Sequence, residues 1–181
     1  MAFDTLFLDR DGVLNRKIDA GYVLKVTDVE LLPGMHDFLI WASPVFKQII
    51  VVTNQRCVGR GLITQKELVL INAHINAEMG NLISCFFVCP HLTEEECNCR
   101  KPNQGLFLAA TEEYTIDFRN SWMIGDSETD LIPAKALGIR SVYISNVGSR
   151  YADVTVESTS DLQDVFLKII AGTIPVDIAA R

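Results

Sequence analysis

Residues 5–12 read Thr-Leu-Phe-Leu-Asp-Arg-Asp-Gly, an apolar run that stops at two carboxylates. The run from Thr5 to Leu8 predicts a buried strand, because short continuous apolar segments are typical of parallel strands that are covered on both faces. Asp9 and Asp11 follow this strand directly. Their position predicts a functional site at the strand end rather than a solvated turn.

The same alternation continues along the chain. Further apolar runs predict strands at residues 48–52, 85–88, 122–124 and 141–144. Helix-like segments cover residues 34–41, 65–79, 104–114, 131–137 and 162–170. Thr64 and Glu67 read as a capping box for the second of these helices. Alternating strands and helices predict an α/β fold with a doubly wound, Rossmann-like parallel sheet.

Composition predicts one soluble domain over residues 1–171 and a weakly structured tail over residues 172–181. The 181 residues are 49% hydrophobic and 22% charged, as in ordinary globular proteins. No apolar run approaches the roughly 20 residues that a membrane helix needs. Asp4 and Asp9 stand where a signal peptide would be basic and then apolar, so we expect a cytoplasmic protein. The net charge of −7 argues against a nucleic-acid partner.

Polar groups follow the ends of four predicted strands. Asp9 follows the first strand, the pair Thr53-Asn54 the second, Cys89 the third and the pair Gly125-Asp126 the fourth. In doubly wound sheets, ligands bind beyond the carboxyl ends of the strands. The sequence therefore predicts that these groups meet at one edge of the sheet.

These residue types suit the hydrolysis of a phosphate monoester, which needs a nucleophile, a leaving-group acid and charge neutralisation. Asp9 can attack phosphorus and form an aspartyl-phosphate, and Asp11 can protonate the leaving oxygen and then activate water. Asp126 can join Asp9 in holding Mg²⁺ through oxygen ligands. Thr53 can donate to a phosphate oxygen, and Lys101 supplies positive charge that the acidic composition lacks.

Two expectations concern the carboxylates themselves. Asp9 and Asp11 are close enough in sequence to repel each other, which predicts that the pKa of one of them is raised. Asp130 is a fourth carboxylate near this edge. The sequence around it leaves a structural role and a role at the metal equally open.

Four motifs in order resemble the haloacid dehalogenase superfamily. They are the segment Phe7-Leu8-Asp9-Arg10-Asp11-Gly12-Val13-Leu14-Asn15, the segment Val51-Val52-Thr53-Asn54-Gln55, the triplet Arg100-Lys101-Pro102, and the triplet Ile124-Gly125-Asp126 with Asp130. The resemblance spans residues 4 to about 145 and implies the fold of that superfamily. The stretches between the motifs are too short for a separate cap domain, so we expect a capless member whose site is shielded by loops or by a partner chain. Substrate choice is then expected to rest on residues 16–23, residues 55–61 and the loop over residues 89–99.

A second cluster of residues predicts a zinc-bound loop. Cys89, His91, Cys97 and Cys99 offer three thiolates and one imidazole, the ligand types of a closed structural zinc site. In a reducing compartment such clustered cysteines suggest metal before disulfides. The loop resembles that of the superfamily branch containing the heptose bisphosphate phosphatases and the histidinol-phosphate phosphatases.

The resemblance to this branch implies further roles. It makes Asp9, Asp11, Thr53 and Lys101 the catalytic residues and adds Asp11 to Asp9 and Asp126 as a Mg²⁺ ligand. It implies substrate binding by Arg10, Asp19, Ala20, Gly21, Tyr22, Asn54, Gln55, Arg56, Arg100 and Ser127.

The substrate stays open between the two groups of the branch. The loop from Asp19 to Val23 resembles the heptose enzymes, whereas the short zinc loop resembles the histidinol-phosphate enzymes. The 7-phosphate of a heptose 1,7-bisphosphate is the favoured expectation and histidinol phosphate the alternative. A nucleic-acid 3′-phosphatase and an inactive zinc-stabilised binding module rank below both. We expect a monomer or a weak homo-oligomer.

Overall fold

A parallel β-sheet dominates the computed structural model, which describes residues 2–174. In that range the six strands are β1 (Phe3–Leu8), β2 (Phe46–Asn54), β3 (Cys85–Cys89), β4 (Trp122–Gly125), β5 (Arg140–Ile144) and β6 (Val154–Val156). Their order is β3-β2-β1-β4-β5-β6, and every neighbouring pair is parallel. From β1 the chain continues to β2 and β3 on one side of the sheet, and from β4 it continues to β5 and β6 on the other side. The strand order therefore reverses between β1 and β4.

Helices cover both faces of this sheet. They are α1 (Met35–Ala42), α2 (Arg56–Gly59), α3 (Gln65–Glu78), α4 (Gly105–Glu113), α5 (Glu128–Ala136) and α6 (Leu162–Ile170). Leu6 and Leu8 of β1 pack with buried residues of α1, α3 and α6. Phe7 points to the other face, where it packs with α4 and α5. This alternation confirms the predicted doubly wound α/β sheet, since each strand must be apolar on both sides.

The predicted elements agree with the structure apart from their bounds and two additions. The first strands extend beyond the predicted runs, so Thr53 and Asn54 are the last residues of β2 rather than a turn after it. Sequence reasoning missed the short elements β6 and α2. It also began α5 three residues late, although Ser127 and Asp130 form a capping box at its start. The box at Thr64 and Glu67 forms as predicted.

No inserted domain stands between the motifs within residues 2–174. The segment from β1 to α1 is a loop with a single 3-10 turn at Val26–Asp28, and β2 runs directly into α2 and α3. Residues 172–174 of the predicted tail form neither helix nor strand, and residues 175–181 lie outside the described residues. None of the helices in the described chain has the length and apolar character needed to cross a bilayer.

Candidate active site

A cleft of about 520 Å³ opens at the carboxyl edge of the sheet, at the point where the strand order reverses. Asp9, which follows β1, and Asp126, which follows β4, face it from adjacent strands. The predicted site residues that line it are Asp9, Asp11, Ala20, Gly21, Tyr22, Thr53, Asn54, Arg56, Arg100, Lys101, Asp126 and Ser127. The strand ends are thus brought together as the sheet rule predicts.

Lys101 lies at the floor of the cleft and holds two carboxylates. Its side chain is 1% exposed, and its Nζ lies 3.0 Å from Asp9 Oδ1 and 2.6 Å from Asp130 Oδ1. It also donates to the Val52 carbonyl at 2.7 Å. Burial lowers the pKa of Lys101, but Asp130 and Asp9 together raise it above its ordinary value. The lysine is therefore a fixed positive charge beside the proposed nucleophile.

Asp11 is enclosed by donors. Its carboxylate receives Arg10 Nη2 at 3.0 Å, Asn15 Nδ2 at 2.8 Å and Gln55 Nε2 at 2.6 Å. Burial raises the pKa of Asp11, but the Arg10 charge and these hydrogen bonds outweigh burial and hold the pKa below its usual value. The expectation of a raised pKa within the pair Asp9 and Asp11 therefore does not apply to Asp11.

The carboxyls with raised pKa lie on the β4 side of the cleft. Burial raises the pKa of Asp130 to about 7 and also raises that of Asp126. Asp130 is 1% exposed, with Oδ1 on Lys101 and Oδ2 accepting from the Ser127 backbone N–H at 3.1 Å. Asp130 thus anchors both the lysine and the first turn of α5, a structural role that the sequence left open.

Two glycines let the motifs approach each other. A Cβ at Gly12, whose φ is +91°, would lie 2.3 Å from Asp126 Oδ2. A Cβ at Gly125 would lie 2.4 Å from the Asp130 Cβ. Because a side chain fits at neither position, the two glycines explain how the Asp126 and Asp130 carboxylates reach the cleft floor.

The acidic side of the cleft fits a divalent cation. Asp9, Asp126 and Asp130 each offer an oxygen, and these oxygens lie within 4.8 Å of one another. Asp126 Oδ1 is buried and receives no hydrogen bond from the described residues. Such an unsatisfied buried oxygen is costly unless a cation or donor meets it, and oxygen ligands suit Mg²⁺. The Asp11 carboxylate, expected as a third ligand, lies outside this group and is held by Arg10 and its neighbours.

Lys17 also enters this region, and the sequence did not single it out within the expected substrate segment of residues 16–23. Its Nζ lies 2.8 Å from Asp126 Oδ2, and it lines the cleft. No motif marks this residue, because only the folded path of the loop after β1 brings it across to β4.

Gln55 and Asn54 support the reacting groups. Gln55 is 1% exposed, does not line the cleft, and donates to both Asp11 and Thr53 Oγ1, the latter at 3.0 Å. Asn54 lines the cleft, but its amide pairs with the backbone of Lys101 through two hydrogen bonds of 3.0 Å. Both amides therefore fix catalytic candidates in place, which differs from the substrate contact that the resemblance implied.

Two other predicted substrate-binding residues also lie off the cleft wall. Arg10 is 1% exposed and bonds Asp11 and Asn72 Oδ1. Asp19 is exposed and is not part of the lining.

Three arginines, Arg56, Arg60 and Arg100, line the same cleft as the carboxylates and are called the arginine wall below. The guanidinium carbons of Arg56 and Arg60 each lie 5.7 Å from the centroid of the Tyr22 ring. Arg56 Nε also donates to the Tyr22 hydroxyl. Arg60 was not singled out from the sequence, although it lies in the segment 55–61 that we expect to choose the substrate. It lies four residues after Arg56, and one helical turn brings both to the same ring.

The four predicted zinc ligands form a compact cluster beside the cleft. Cys89 Sγ lies 3.6 Å from Cys97 Sγ and 3.7 Å from His91 Nδ1, and Cys99 Sγ lies 3.4 Å and 3.1 Å from these two atoms. The ligands of a tetrahedral zinc are roughly 3.5–3.8 Å apart, given the usual bond lengths, so the cluster fits this ion. Burial and the neighbouring thiols raise the pKa of Cys99 to about 12, so this thiol retains its proton without a cation. Burial also raises the pKa of Cys97, but hydrogen bonds from Cys99 and the Arg100 backbone outweigh burial and lower that pKa to about 7.

Comparison with known proteins agrees with this geometry. A HAD-hydrolase-like family model matches residues 98–162. A D-glycero-beta-D-manno-heptose-1,7-bisphosphate 7-phosphatase of Vibrio cholerae is 31% identical over 186 residues, which cover 93% of this chain and 99% of the relative. A D-glycero-alpha-D-manno-heptose-1,7-bisphosphate 7-phosphatase of Mycobacterium bovis is 37% identical over 153 residues, which cover 80% of each chain.

Solved structures share the fold. A D,D-heptose 1,7-bisphosphate phosphatase from B. bronchiseptica, solved with magnesium and phosphate, superposes with a TM-score of 0.81 at 24% identity and covers 92% of this chain and 99% of its own. Its identity is low enough that it shows the fold alone. The curated relatives, with more than 30% identity over most of the chain, show descent as well. This chain therefore belongs to the haloacid dehalogenase superfamily and, within it, to the family of phosphatases that these relatives represent.

Proposed function

We propose that this protein is a magnesium-dependent phosphatase that removes the 7-phosphate of D-glycero-D-manno-heptose 1,7-bisphosphate through an aspartyl-phosphate on Asp9. The observation that carries the proposal is the placement of Asp9 at the strand reversal, 3.0 Å from the buried ammonium of Lys101 and close to the unsatisfied Asp126 Oδ1. The names of the curated relatives supply the substrate.

In the first step an Asp9 carboxylate oxygen bonds to phosphorus as the bond from phosphorus to the sugar oxygen breaks. Asp11 gives its proton to that leaving oxygen. The low pKa of substrate-free Asp11 rises when a phosphate anion arrives beside it, because a like charge disfavours the ionised form. In the second step Asp11 takes a proton from water, the water oxygen bonds to phosphorus, and the bond to Asp9 breaks.

The remaining groups neutralise and orient the phosphoryl group. Lys101 meets its negative charge, and Thr53, fixed by Gln55, donates to a phosphoryl oxygen. Asp9 and Asp126 would hold Mg²⁺, which when bound neutralises charge on the phosphoryl oxygens. A structural zinc on Cys89, His91, Cys97 and Cys99 would fix the loop that carries Lys101.

The arginine wall favours a substrate with a second anionic group. Arg56, Arg60 and Arg100 line the same cleft as Asp9, and guanidinium groups pair well with phosphate. A heptose bisphosphate offers a second phosphate to this wall. Histidinol phosphate instead carries an ammonium group, which three guanidinium groups would repel. This argument ranks the bisphosphate above the alternative that the short zinc loop suggests.

An assay of phosphate release with magnesium tests the proposal. The substrates are the alpha and beta anomers of D-glycero-D-manno-heptose 1,7-bisphosphate, histidinol phosphate and a 3′-phosphorylated oligonucleotide. We expect kcat/KM to be highest for one heptose anomer. A preference for histidinol phosphate or for the oligonucleotide would overturn the substrate, and no turnover of any compound would leave only the zinc-stabilised binding module. Activity that is unchanged in EDTA would overturn the magnesium dependence.

A further inference from the structure

Lys17 is a cation that the reaction scheme above does not use. It lies on the loop after β1, and its Nζ contacts Asp126 Oδ2 at 2.8 Å. The Lys17 side chain is 56% exposed, whereas that of Asp126 is 15% exposed. A flexible surface lysine thus reaches down to a largely buried carboxylate that is a proposed magnesium ligand.

The charges around Asp126 explain this contact. Asp9, Asp126 and Asp130 crowd their oxygens within 4.8 Å. Lys101 forms ion pairs with Asp9 and Asp130 and donates to the Val52 carbonyl, but it forms no ion pair with Asp126 among the described residues. Lys17 is the ion-pair partner that Asp126 has among the described residues. In the protein without metal, Lys17 therefore supplies the positive charge that this carboxylate needs.

Lys101 and Lys17 differ in how easily each can move away from its carboxylate partner. Lys101 is 1% exposed and held by three acceptors, so it cannot move without disrupting the cleft floor. Among the described residues Lys17 pairs with Asp126 alone, and its long side chain regains water when it turns outward. A divalent cation that binds Asp126 repels the positive charge of Lys17 at close range. Because Lys17 is the lysine that can move, it leaves Asp126.

We propose that Lys17 is an exchangeable counterion. It pairs with Asp126 in the metal-free protein and is displaced when a divalent cation binds there. The displaced ammonium then binds the anionic substrate in the same cleft. This inference rests on the proposed magnesium dependence. Lys17 lines the cleft together with Tyr22 and Arg56, so the displaced ammonium stays where a phosphorylated substrate enters.

Lys17 then has opposite effects on the binding of Mg²⁺ and on the binding of substrate. Its charge competes with Mg²⁺ for Asp126 and weakens metal binding in the absence of substrate. Once displaced, the same charge attracts the substrate anion and strengthens substrate binding. A residue with a merely structural role would weaken both or neither.

The substitution Lys17→Met tests this in the full-length protein. Isothermal titration with MgCl₂ in the absence of substrate should show metal binding about fivefold tighter than in the unmodified protein, as expected for loss of a partly exposed ion pair. With saturating Mg²⁺, the KM for the heptose bisphosphate should rise. Arg16→Gln is the matched control, because Arg16 is the adjacent residue, loses the same charge, pairs with Glu30 and does not line the cleft.

The outcomes separate this proposal from the proposed function. Magnesium binding that is equal in Lys17→Met and Arg16→Gln, or weaker in Lys17→Met, overturns the counterion role while magnesium dependence stands. Tighter metal binding with an unchanged KM overturns the role toward the substrate. Absence of magnesium binding in all three proteins overturns the counterion role together with the magnesium dependence.

Discussion

Gln55 shows how one residue can set the geometry of two others from a position outside the cleft lining. Its amide donates to Asp11 at 2.6 Å and to Thr53 at 3.0 Å, and it is 1% exposed. The resemblance to the phosphatase branch implied substrate binding by Gln55. Only the fold shows that the Gln55 amide turns inward, where its hydrogen bond helps to lower the pKa of Asp11, the proposed general acid and base.

At this scale the first prediction concerns Asp9. Asp9→Asn should lower kcat by about 1,000-fold or more, because an amide cannot form the phosphoryl-enzyme and losses of this size follow removal of a nucleophile. Steady-state kinetics measure the loss, and circular dichroism should show an unchanged fold. Asp37→Asn is the control, since Asp37 is 85% exposed on α1. A variant at Asp9 that keeps a tenth of its activity would exclude this residue as the nucleophile.

Among the elements, the loop between β3 and α4 joins the predicted zinc ligands to the cleft. It begins at Cys89, the last residue of β3, and Asn103 Nδ2 donates to the Cys97 carbonyl at 2.8 Å. It also carries Lys101, whose backbone is paired with the Asn54 amide at the end of β2. A metal bound by the Cys and His side chains of this loop would therefore act on catalysis through the position of Lys101, without contact to substrate.

The second prediction follows from that coupling. Cys97→Ser should reduce bound zinc from about one equivalent, as expected for a single Cys₃His site, to a small fraction, and should lower both the melting temperature and kcat. Cys85→Ser is the control, because Cys85 lies on β3 outside the ligand cluster. Elemental analysis and thermal unfolding measure the effects. Full zinc content in Cys97→Ser, or zinc loss in Cys85→Ser, would contradict the assigned ligands.

Across the whole molecule, the two faces of the sheet carry two separate hydrophobic clusters. Phe166 of α6 lies at the centre of the larger one, with its ring 5.2 Å from that of Trp122, 5.5 Å from that of Phe46 and 5.7 Å from that of Phe38. These rings come from β4, β2 and α1, so one side chain joins elements that are distant in sequence. The cleft lies at the carboxyl edge of the strands and does not include these residues.

The third prediction uses this separation. Phe166→Ala should lower the free energy of unfolding by about 3–5 kcal/mol, the usual cost of removing a buried phenyl ring. Denaturant titration measures it. The neighbouring Leu167→Ala is the control, because Leu167 is 45% exposed and surface changes stay near 0.5 kcal/mol. The fraction of Phe166→Ala that remains folded should keep its kcat; a loss of kcat in that fraction would show that the core and the cleft are coupled.

Sequence reasoning predicted most of the architecture because apolar periodicity is a local signal. The strands at residues 5–8 and 122–124 and the helix at residues 162–170 were identified from their own residues, and so was the order of the motifs. It missed β6, a strand of three residues, and α2, a single turn. Elements this short have too few residues for a period to be recognised.

The sequence by itself determined the fold class, the edge of the sheet that carries the site, and the identity of Asp9, Asp126 and the four cysteine and histidine ligands as candidates. These follow from residue type and from position relative to a strand end. The tertiary structure alone decided that Asp130 anchors Lys101 and that Lys17 reaches Asp126. Those contacts join residues 29 and 109 positions apart, and partners at such separations meet only when the strands order themselves in the sheet.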